Sequence, residues 1–257
     1  ILDSYQGWLA ARPANDFTAM VPRPQKTLEL SRRHAECLLG YEHIADPLID
    51  ASDYGMKAST VKAVFSELRA RLVLLVREIT SRPIPDNSFF SQAAPAEQQL
   101  AFGRDVIRAF GYDFERGREV LTTHPFMTKF SLGDVRITTR VRENMTHVLF
   151  STLHEAGHAM YEQGIRLDLE GTPLAHGTSS GIHESQSRLW ENLVGRSRAF
   201  WNHFYPKYQA AFPTQLGKLP LDTFFRAINR VDRGLIRIDA DEVTYNLHVM
   251  IRFDFEL

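Results

Sequence analysis

Two histidines and one glutamate within five residues form the part of the sequence with the clearest chemistry. They lie in the stretch His154-Glu155-Ala156-Gly157-His158. On a helix, side chains four residues apart share a face, so both imidazoles can reach one Zn²⁺ ion while Glu155 takes a proton from its bound water. The spacing therefore predicts the centre of a zinc peptidase. Without Glu155, the histidines would more simply be core residues hydrogen-bonded to neighbouring carbonyl groups.

The sequence around this stretch predicts the helix that it needs. From Asn144 to Gly164, apolar residues recur every three or four positions without a proline, and the final glycine can cap the helix. Gly157 lies in the interior, where glycine destabilises a helix by about 1 kcal/mol relative to alanine. Such a residue is easier to explain if another element packs closely against that turn.

A catalytic zinc site needs a third protein ligand and an open position for water. One class of zinc peptidase has a glycine and then a third histidine after the second histidine, but this sequence has Tyr161 and Gly164 at those places. The other common solution takes a glutamate from a following helix, and the best candidate is Glu184. Arg188 or Glu191, on the same helix face, would orient its carboxylate. Alternatively, Glu184 is a surface residue paired with Arg188.

Helical periodicity dominates the rest of the sequence. Apolar residues recur at helical spacing in six windows, namely 26–41, 59–82, 95–110, 143–164, 182–197 and 239–257. The exception is Phe126 to Val141, where apolar residues suggest short strands around a turn at Gly133-Asp134. We therefore expect a mainly α fold. It would be a single, mostly helical domain over residues 1–257, with a small antiparallel β-hairpin beside the metal-binding helix.

The hairpin has a possible role in substrate binding. Zinc peptidases commonly hold the substrate backbone as an added strand against a short sheet edge. Asp134 to Thr139 would then line the substrate groove, and Arg136 would fix the hairpin or contact substrate. An equally good interpretation makes the Asp-x-Arg-x-Thr block purely structural, an internal ion pair that holds the hairpin, since edge strands also carry charges to prevent aggregation.

Composition and charge argue against several other classes of protein. The 44% hydrophobic and 24% charged residues are ordinary for a globular protein. A net charge of −1 gives no reason to expect nucleic acid or an acidic membrane as a partner. Cys37 is the only cysteine, so an intrachain disulfide is impossible. No apolar run approaches the length that spans a bilayer, and we expect a cytoplasmic protein.

The central stretch and four further blocks of residues form a recognisable pattern. In order, they are His124-Pro125-Phe126, Asp134-Val135-Arg136-Ile137-Thr138, His154 to His158, His183-Glu184-Ser185-Gln186 and Ile236-Arg237-Ile238-Asp239-Ala240-Asp241. Together they resemble the carboxypeptidase Taq-type zinc metallocarboxypeptidase family. The resemblance continues through 111–113 and 241–248. Members of that family are longer, and the sequence resembles their middle portion, so we expect a fragment of a longer chain.

The resemblance implies a zincin-like helical architecture and a specific reaction. A water activated by Zn²⁺, which Co²⁺ or another divalent ion can replace, would hydrolyse the C-terminal peptide bond of peptides that have a free C-terminus. The resemblance also implies broad residue preference, poor cleavage around proline, and a homodimer. His124 precedes a proline and is expected to orient a loop rather than bind metal, because three ligands are already assigned.

A carboxypeptidase also needs a cation for the terminal carboxylate of its substrate. Arginine suits this role because its planar guanidinium binds a carboxylate with two hydrogen bonds. Arg237, in the block that resembles the Ile-Arg-x-x-Ala-Asp motif, is the first choice, with a buried ion pair to Asp239 or Asp241 as the alternative. Tyr245 and His248, three positions apart, would donate hydrogen bonds to the oxyanion, or else serve in packing.

Two other functions remain open from the sequence. The same metal site would serve a zinc oligopeptidase or a dipeptidyl carboxypeptidase. Peptides with a blocked C-terminus would distinguish these alternatives, since a true carboxypeptidase should not cut them. A non-catalytic fragment stabilised by zinc would need His154, His158 and Glu184 but would have no use for Glu155. The presence of Glu155 therefore favours an enzyme.

Overall fold

The computed structural model describes residues 2–142 and 145–257. Their contacts divide the chain into two compact units, Ile1–Glu67 with Leu257, and Leu68–Glu256. The single domain expected over residues 1–257 stays a prediction. Among the described residues, every helix is too short or too polar to span a bilayer.

The first unit consists of short helices and the beginning of a long one. The helices are α1 (Leu2–Ala14), α2 (Phe17–Met20), α3 (Pro22–Glu36), α4 (Asp46–Asp50) and the first part of α5 (Ala58–Thr80). Asp46 is 2% exposed, and its carboxylate accepts hydrogen bonds from the backbone N–H groups of His43 and Ala58. These bonds fix the loop that leads into α5, since a buried carboxylate is stable only when its oxygens are hydrogen-bonded.

The second unit carries the remainder of α5 and the larger helices. They are α6 (Ala96–Phe110), α7 (Met145–Gln163), α8 (Ser180–Arg188), α9 (Arg198–Ala211), α10 (Pro213–Leu216), α11 (Leu221–Ile228) and α12 (Tyr245–Glu256). A π-helical turn, Leu189–Val194, continues directly from α8. Short 3₁₀ turns lie at Ser88–Ser91, Phe114–Arg116, Leu167–Leu169 and Arg237–Asp239.

Helix α7 runs through the core of the second unit. Its residues Val148, Leu153 and Ala156 are fully buried, and the aromatic core around it includes Trp201 and Phe224, both 0% exposed. Because almost every face of α7 is covered, its polar residues are held in fixed positions by their neighbours.

The six predicted windows all contain a helix, with differences at their ends. Residues 143 and 144, the predicted start of the fourth window, lie outside the described residues. The fifth window was predicted as one helix, but the structure changes from α8 to the π-helical turn within it. The sequence missed α9, which contains Pro206, because a proline inside a helix normally argues against one.

The hairpin prediction is confirmed, but the sheet has a third strand. Strand β2 (Met127–Ser131) pairs antiparallel with β3 (Asp134–Thr139), and β1 (Glu119–Leu121) pairs parallel with the other side of β3. The strand order is therefore β1-β3-β2. Three residues are too few to show the alternation by which a strand is recognised, so β1 escaped sequence analysis.

The hairpin is fastened to α7 at two places, one inside the helix and one at its C-terminal end. Thr139 at the end of β3 is hydrogen-bonded to Ser151, with 3.2 Å between their hydroxyl oxygens. At the C-terminal end, Arg116 donates to the carbonyl oxygens of Leu132 and Gln163, each at 3.0 Å. The sheet and the predicted metal-binding helix are thus held in one fixed arrangement.

Candidate metal centre

Helices α7 and α8 bring three potential metal ligands together. The Nε2 atoms of His154 and His158 are 3.3 Å apart. Oε2 of Glu184 lies 3.3 Å from Nε2 of His158 and 3.7 Å from Nε2 of His154. Within the part of the chain that the structure describes, this is the one group of three histidine, cysteine or carboxylate side chains close enough to share an ion.

The spacing of the three atoms fits a divalent metal. Ligand atoms bound to zinc at about 2.0 to 2.2 Å in a tetrahedron lie about 3.3 to 3.6 Å from one another. Two neutral imidazoles and one carboxylate also form the ligand set of many catalytic zinc sites, which keep a fourth position open. The residues present therefore fit the group that the family implies.

A close backbone contact at Gly157 allows this arrangement. A Cβ atom at this position would lie 2.6 Å from the carbonyl oxygen of Gln186 and 2.6 Å from Cα of Ser187. Only glycine permits backbones to approach so closely. The contact explains why the helix tolerates a glycine in its interior, and it places Glu184 opposite the two histidines of α7.

The local sequence also sets where α8 begins and how it ends. The Ser179 hydroxyl accepts a hydrogen bond from the N–H of Ile182 and so caps the first turn of α8. After Arg188 the helix widens into the π-helical turn that carries Glu191. π-Helical turns are rare and often occur at functional sites. Here the turn directs the Glu191 carboxylate towards His154.

Two side chains, Arg188 at the end of α8 and Glu191 in this turn, hold the ligands in place. Oε2 of Glu191 lies 2.8 Å from Nδ1 of His154, the ring nitrogen that faces away from the other ligands. Arg188 donates to Glu184 at 3.0 Å and to Glu191 at 3.1 Å. Sequence analysis assigned Arg188 or Glu191 to orient Glu184. In the structure Arg188 does so, whereas Glu191 orients His154.

Charge stabilises Glu184 in its anionic form. Burial favours the protonated acid, but the hydrogen bond with His158 and the charges of His154 and Arg188 lower the pKa of Glu184 to about 2. Burial alone would lower the pKa of His154, but its hydrogen bond and attraction to Glu191 raise it. The negative charge that raises the pKa of His154 would equally attract a divalent cation.

Glu155 lies beside the ligands but in a different environment. The residue is only 7% exposed, and the backbone N–H of Met127 in β2 interacts with its carboxylate in a way that favours the ionised form. Burial raises the pKa of Glu155 to about 7, opposed by the charge of His154. A carboxylate with a pKa near neutrality is well suited to accept a proton and to return it.

The structure links Arg237 and Tyr245 to the ligand cluster. Arg237 donates a hydrogen bond to the Tyr245 hydroxyl at 2.9 Å. The guanidinium of Arg188 lies over the Tyr245 ring, 3.8 Å from its centre. Asp239 and Asp241 were the alternative ion-pair partners of Arg237. In the structure Asp239 pairs with Arg142 instead, and Asp241 caps the turn before α12.

Positive charge gathers around Arg237. His124 is partly buried, and its pKa is lowered first by burial and then by the charges of Arg237, Arg140 and Arg142. His248 lies on α12, three residues after Tyr245, and is partly exposed, but the described contacts do not join it to the ligands.

Arg136 is occupied within the hairpin. Both of its hydrogen bonds, at 2.7 and 2.6 Å, go to Asp134, and its guanidinium lies 4.8 Å from the centre of the Phe130 ring. β2 pairs with one side of β3, and β1 pairs with the other side along residues 137–139, which limits where β3 can accept an added strand. That Asp134 to Thr139 lines the substrate groove stays a prediction. Within the described residues β2 pairs on one side only, and it is β2 that contacts Glu155.

Comparison with known proteins agrees with the ligand geometry. The family model described as carboxypeptidase Taq (M32) metallopeptidase matches residues 1–257. The chain belongs to this family. The resemblance seen in the five sequence blocks and the mainly α fold class are thereby confirmed.

Individual family members align with nearly all of the chain. It is 42% identical to thermostable carboxypeptidase 1 of Thermus thermophilus, over 97% of the chain and 51% of that relative. It is 41% identical to carboxypeptidase 1 of Bacillus subtilis, over 97% and 50%. The crystal structure of an M32 carboxypeptidase from Deinococcus radiodurans superimposes with a TM-score of 0.91 at 53% identity, over 98% of the chain and 51% of that structure. The chain thus spans about half the length of the curated relatives it matches.

Replacing Gly157 with alanine should weaken metal binding. The new methyl group would overlap the backbone of α8, which must move and carry Glu184 with it, so we expect at least an about tenfold higher Kd for Zn²⁺. Competition with a fluorescent chelator measures this Kd. Gly103→Ala is the matched control, because a Cβ at that helical glycine would make only ordinary contacts, the nearest at 3.5 Å from Thr152. Equal affinities in the two variants would contradict the role of Gly157.

Replacing Glu184 with alanine should remove the metal. Two imidazoles alone do not complete the ligand set, so occupancy after dialysis should fall from about one ion per chain to near zero. Elemental analysis of the dialysed protein gives the result. Asp168→Ala, which removes an exposed carboxylate paired with Arg166, should leave occupancy unchanged. Full occupancy in Glu184→Ala would mean that another group is the third ligand.

Proposed function

We propose that the chain carries the metal centre of a zinc-dependent metallocarboxypeptidase that hydrolyses the C-terminal peptide bond of peptides. The observation that carries the proposal is the buried Glu155 beside the cluster of His154, His158 and Glu184. A site that only stabilised the fold would have no use for that carboxylate. The carboxypeptidase names of the aligned relatives support the same activity.

The proposed reaction assigns Glu155 the movement of protons. His154, His158 and Glu184 would hold a Zn²⁺ ion, which when bound would supply a Lewis acid for the scissile carbonyl and for water, whose pKa it would lower to about 7. Glu155 accepts a proton from the attacking water and returns it to the leaving amine. Its position in α7 places it beside the ligands, where the backbone N–H of Met127 in β2 acts on its carboxylate. We place the substrate backbone along the edge of β2.

Arg237 is the proposed anchor for the terminal carboxylate. Its other N–H groups can still donate to a carboxylate while one is hydrogen-bonded to Tyr245. Arg140, like Arg237, acts on His124 and adds positive charge to the same region, which favours an anionic substrate terminus, whereas Arg142 is paired with Asp239. Since the Tyr245 hydroxyl accepts from Arg237, its own proton is available for the oxyanion. The proposal keeps His248 as a second donor and Arg136 as a residue that holds the hairpin next to the substrate.

Other properties of the proposal rest on the family resemblance alone. They are Zn²⁺ as the native ion with Co²⁺ as a substitute, broad residue preference with poor cleavage around proline, and a homodimer. The cytoplasmic location expected from the sequence stays a prediction. We propose no nucleic-acid or membrane partner. An oligopeptidase would share the metal site but does not require a cation for the substrate C-terminus, whereas a dipeptidyl carboxypeptidase would differ in releasing two residues at a time.

Replacing Glu155 with glutamine should separate metal binding from catalysis. Glutamine keeps the size of the side chain but cannot accept the proton, so kcat should fall by at least about 100-fold. Metal occupancy and Tm should stay close to those of the wild type. Hydrolysis of an N-terminally blocked dipeptide by the full-length protein measures kcat. Turnover near the wild-type value would show that another residue activates the water.

Replacing Arg237 with alanine should raise KM and leave kcat nearly unchanged. A charge-assisted contact of roughly 1.5 to 3 kcal/mol, made in both the ground and the transition state, corresponds to a roughly 10- to 150-fold change in KM. Amidating the substrate C-terminus removes the same contact, so the two changes should not add. Arg252→Ala, an exposed arginine paired with Glu256, is the control. Additive losses would assign Arg237 a structural role.

A further inference from the structure

The two histidine ligands are supported in different ways. His154 contacts a carboxylate directly, with 2.8 Å between its Nδ1 and Oε2 of Glu191. His158 instead meets another imidazole, with 2.6 Å between its Nδ1 and Nδ1 of His183. Nε2 of His183 in turn lies 2.9 Å from Oε1 of Glu162. A carboxylate therefore stands behind each ligand, but the one behind His158 acts through an inserted ring.

Glu162 is held as a buried anion. Its side chain is 6% exposed, and Nζ of Lys129 lies 2.5 Å from Oε2. The backbone N–H of Gly177 donates to Oε1 at 3.1 Å, and Lys129 also donates to the carbonyl oxygen of Ala175. Burial favours the protonated acid, but the hydrogen bonds from His183 and Lys129 lower the pKa of Glu162 to about 2.

The loop before α8 packs tightly against the side chains of Glu162 and His183 at Gly177. A Cβ atom at Gly177 would lie 2.8 Å from Cδ2 of His183, 2.9 Å from the Tyr161 ring and 3.0 Å from Oε1 of Glu162. The Tyr161 ring also meets the His183 ring edge to face, with 5.2 Å between centres. His183 is thus fixed on several sides and has little freedom to turn.

The hydrogen bonds then have a single consistent direction. An ionised carboxylate only accepts, so Nε2 of His183 must donate to Glu162. In a neutral imidazole the other nitrogen is a hydrogen-bond acceptor. Nδ1 of His183 therefore accepts the 2.6 Å hydrogen bond that the Nδ1–H group of His158 donates. The lone pair of His158 is therefore left on Nε2, the atom that faces His154 and Glu184.

We propose that Glu162, fixed by Lys129, acts through His183 as a positioning residue that sets the tautomer and orientation of the metal ligand His158. The inference rests on the metal site proposed above. Partners that orient a ligating histidine typically change metal affinity by 10- to 100-fold when they are replaced. We call the series of contacts Lys129–Glu162–His183–His158 the relay. It also connects β2, through Lys129, to one ligand of the metal.

Metal affinity in two variants of His183 tests whether an acceptor is required. His183→Phe keeps a ring but offers no acceptor to His158, and we expect its Kd for Zn²⁺ to rise about 10- to 100-fold. His183→Asn places an amide oxygen near the position of Nδ1, so its Kd should recover to within about threefold of the wild type. The Tm of each metal-free variant reports folding separately. Equal losses in both variants, or no loss in either, would overturn the relay.

A second series addresses Glu162 itself. In Glu162→Gln, an amide NH₂ group must face either Lys129 or His183, and we expect an about tenfold or larger rise in the Kd for Zn²⁺. Glu119→Gln is the matched control, because Glu119 is also a buried carboxylate, paired with Arg104 and hydrogen-bonded to Thr152, but touches no ligand. An equal effect of both substitutions would reduce the role of Glu162 to stability.

Nitrogen NMR of the zinc-bound protein reports the tautomers directly. In a protein with ¹⁵N-labelled histidine, long-range proton–nitrogen spectra should show His183 protonated at Nε2 and His158 protonated at Nδ1. A proton on Nδ1 of His183 would overturn the inference. If the wild-type protein bound no ion, the proposed function and the relay would both fail. If it bound zinc and hydrolysed peptides with the other His183 tautomer, the relay alone would fail.

Discussion

The contact between the backbones of α7 and α8 at Gly157 is the constraint on which the metal site depends. The histidines lie on one helix and the glutamate on the other, so their distances are set by how closely the helices approach. With 2.6 Å left for a Cβ atom, the helices touch without any side chain between them. The three ligand atoms then reach spacings of 3.3 to 3.7 Å without movement of either helix. A site assembled in this way is rigid before an ion arrives, which reduces the free energy needed to order it.

Charge around the site is distributed unevenly. The carboxylates of Glu155, Glu184 and Glu191 lie close together, and Arg188 bridges two of them. Lowered pKa values of Glu184 and Glu191 keep those two ionised, whereas burial raises the pKa of Glu155. Adjacent carboxylates therefore have different tasks, because two of them neutralise positive charge and the third can exchange a proton near neutral pH.

The sequence revealed what is local and missed what depends on distant parts of the chain. His154 and His158 lie one turn apart, so periodicity alone placed them on one face of a helix. Glu184 was found as the best candidate on a following helix, and it also falls in a block that resembles the family. The partnership of Glu162 with Lys129, 33 residues away, carries no local signal. The same is true of β1, whose three residues form a strand only because β3 lies beside them.

Arg188 belongs to two sites at once. It holds the carboxylates of Glu184 and Glu191, and it stacks on Tyr245, whose hydroxyl receives a hydrogen bond from Arg237. A ligand that changes the position of Arg237 therefore acts, through two contacts, on the surroundings of the metal. Thermodynamic linkage makes any such effect reciprocal. The factor by which a bound terminal carboxylate changes the affinity for metal is also the factor by which the metal changes the affinity for that carboxylate.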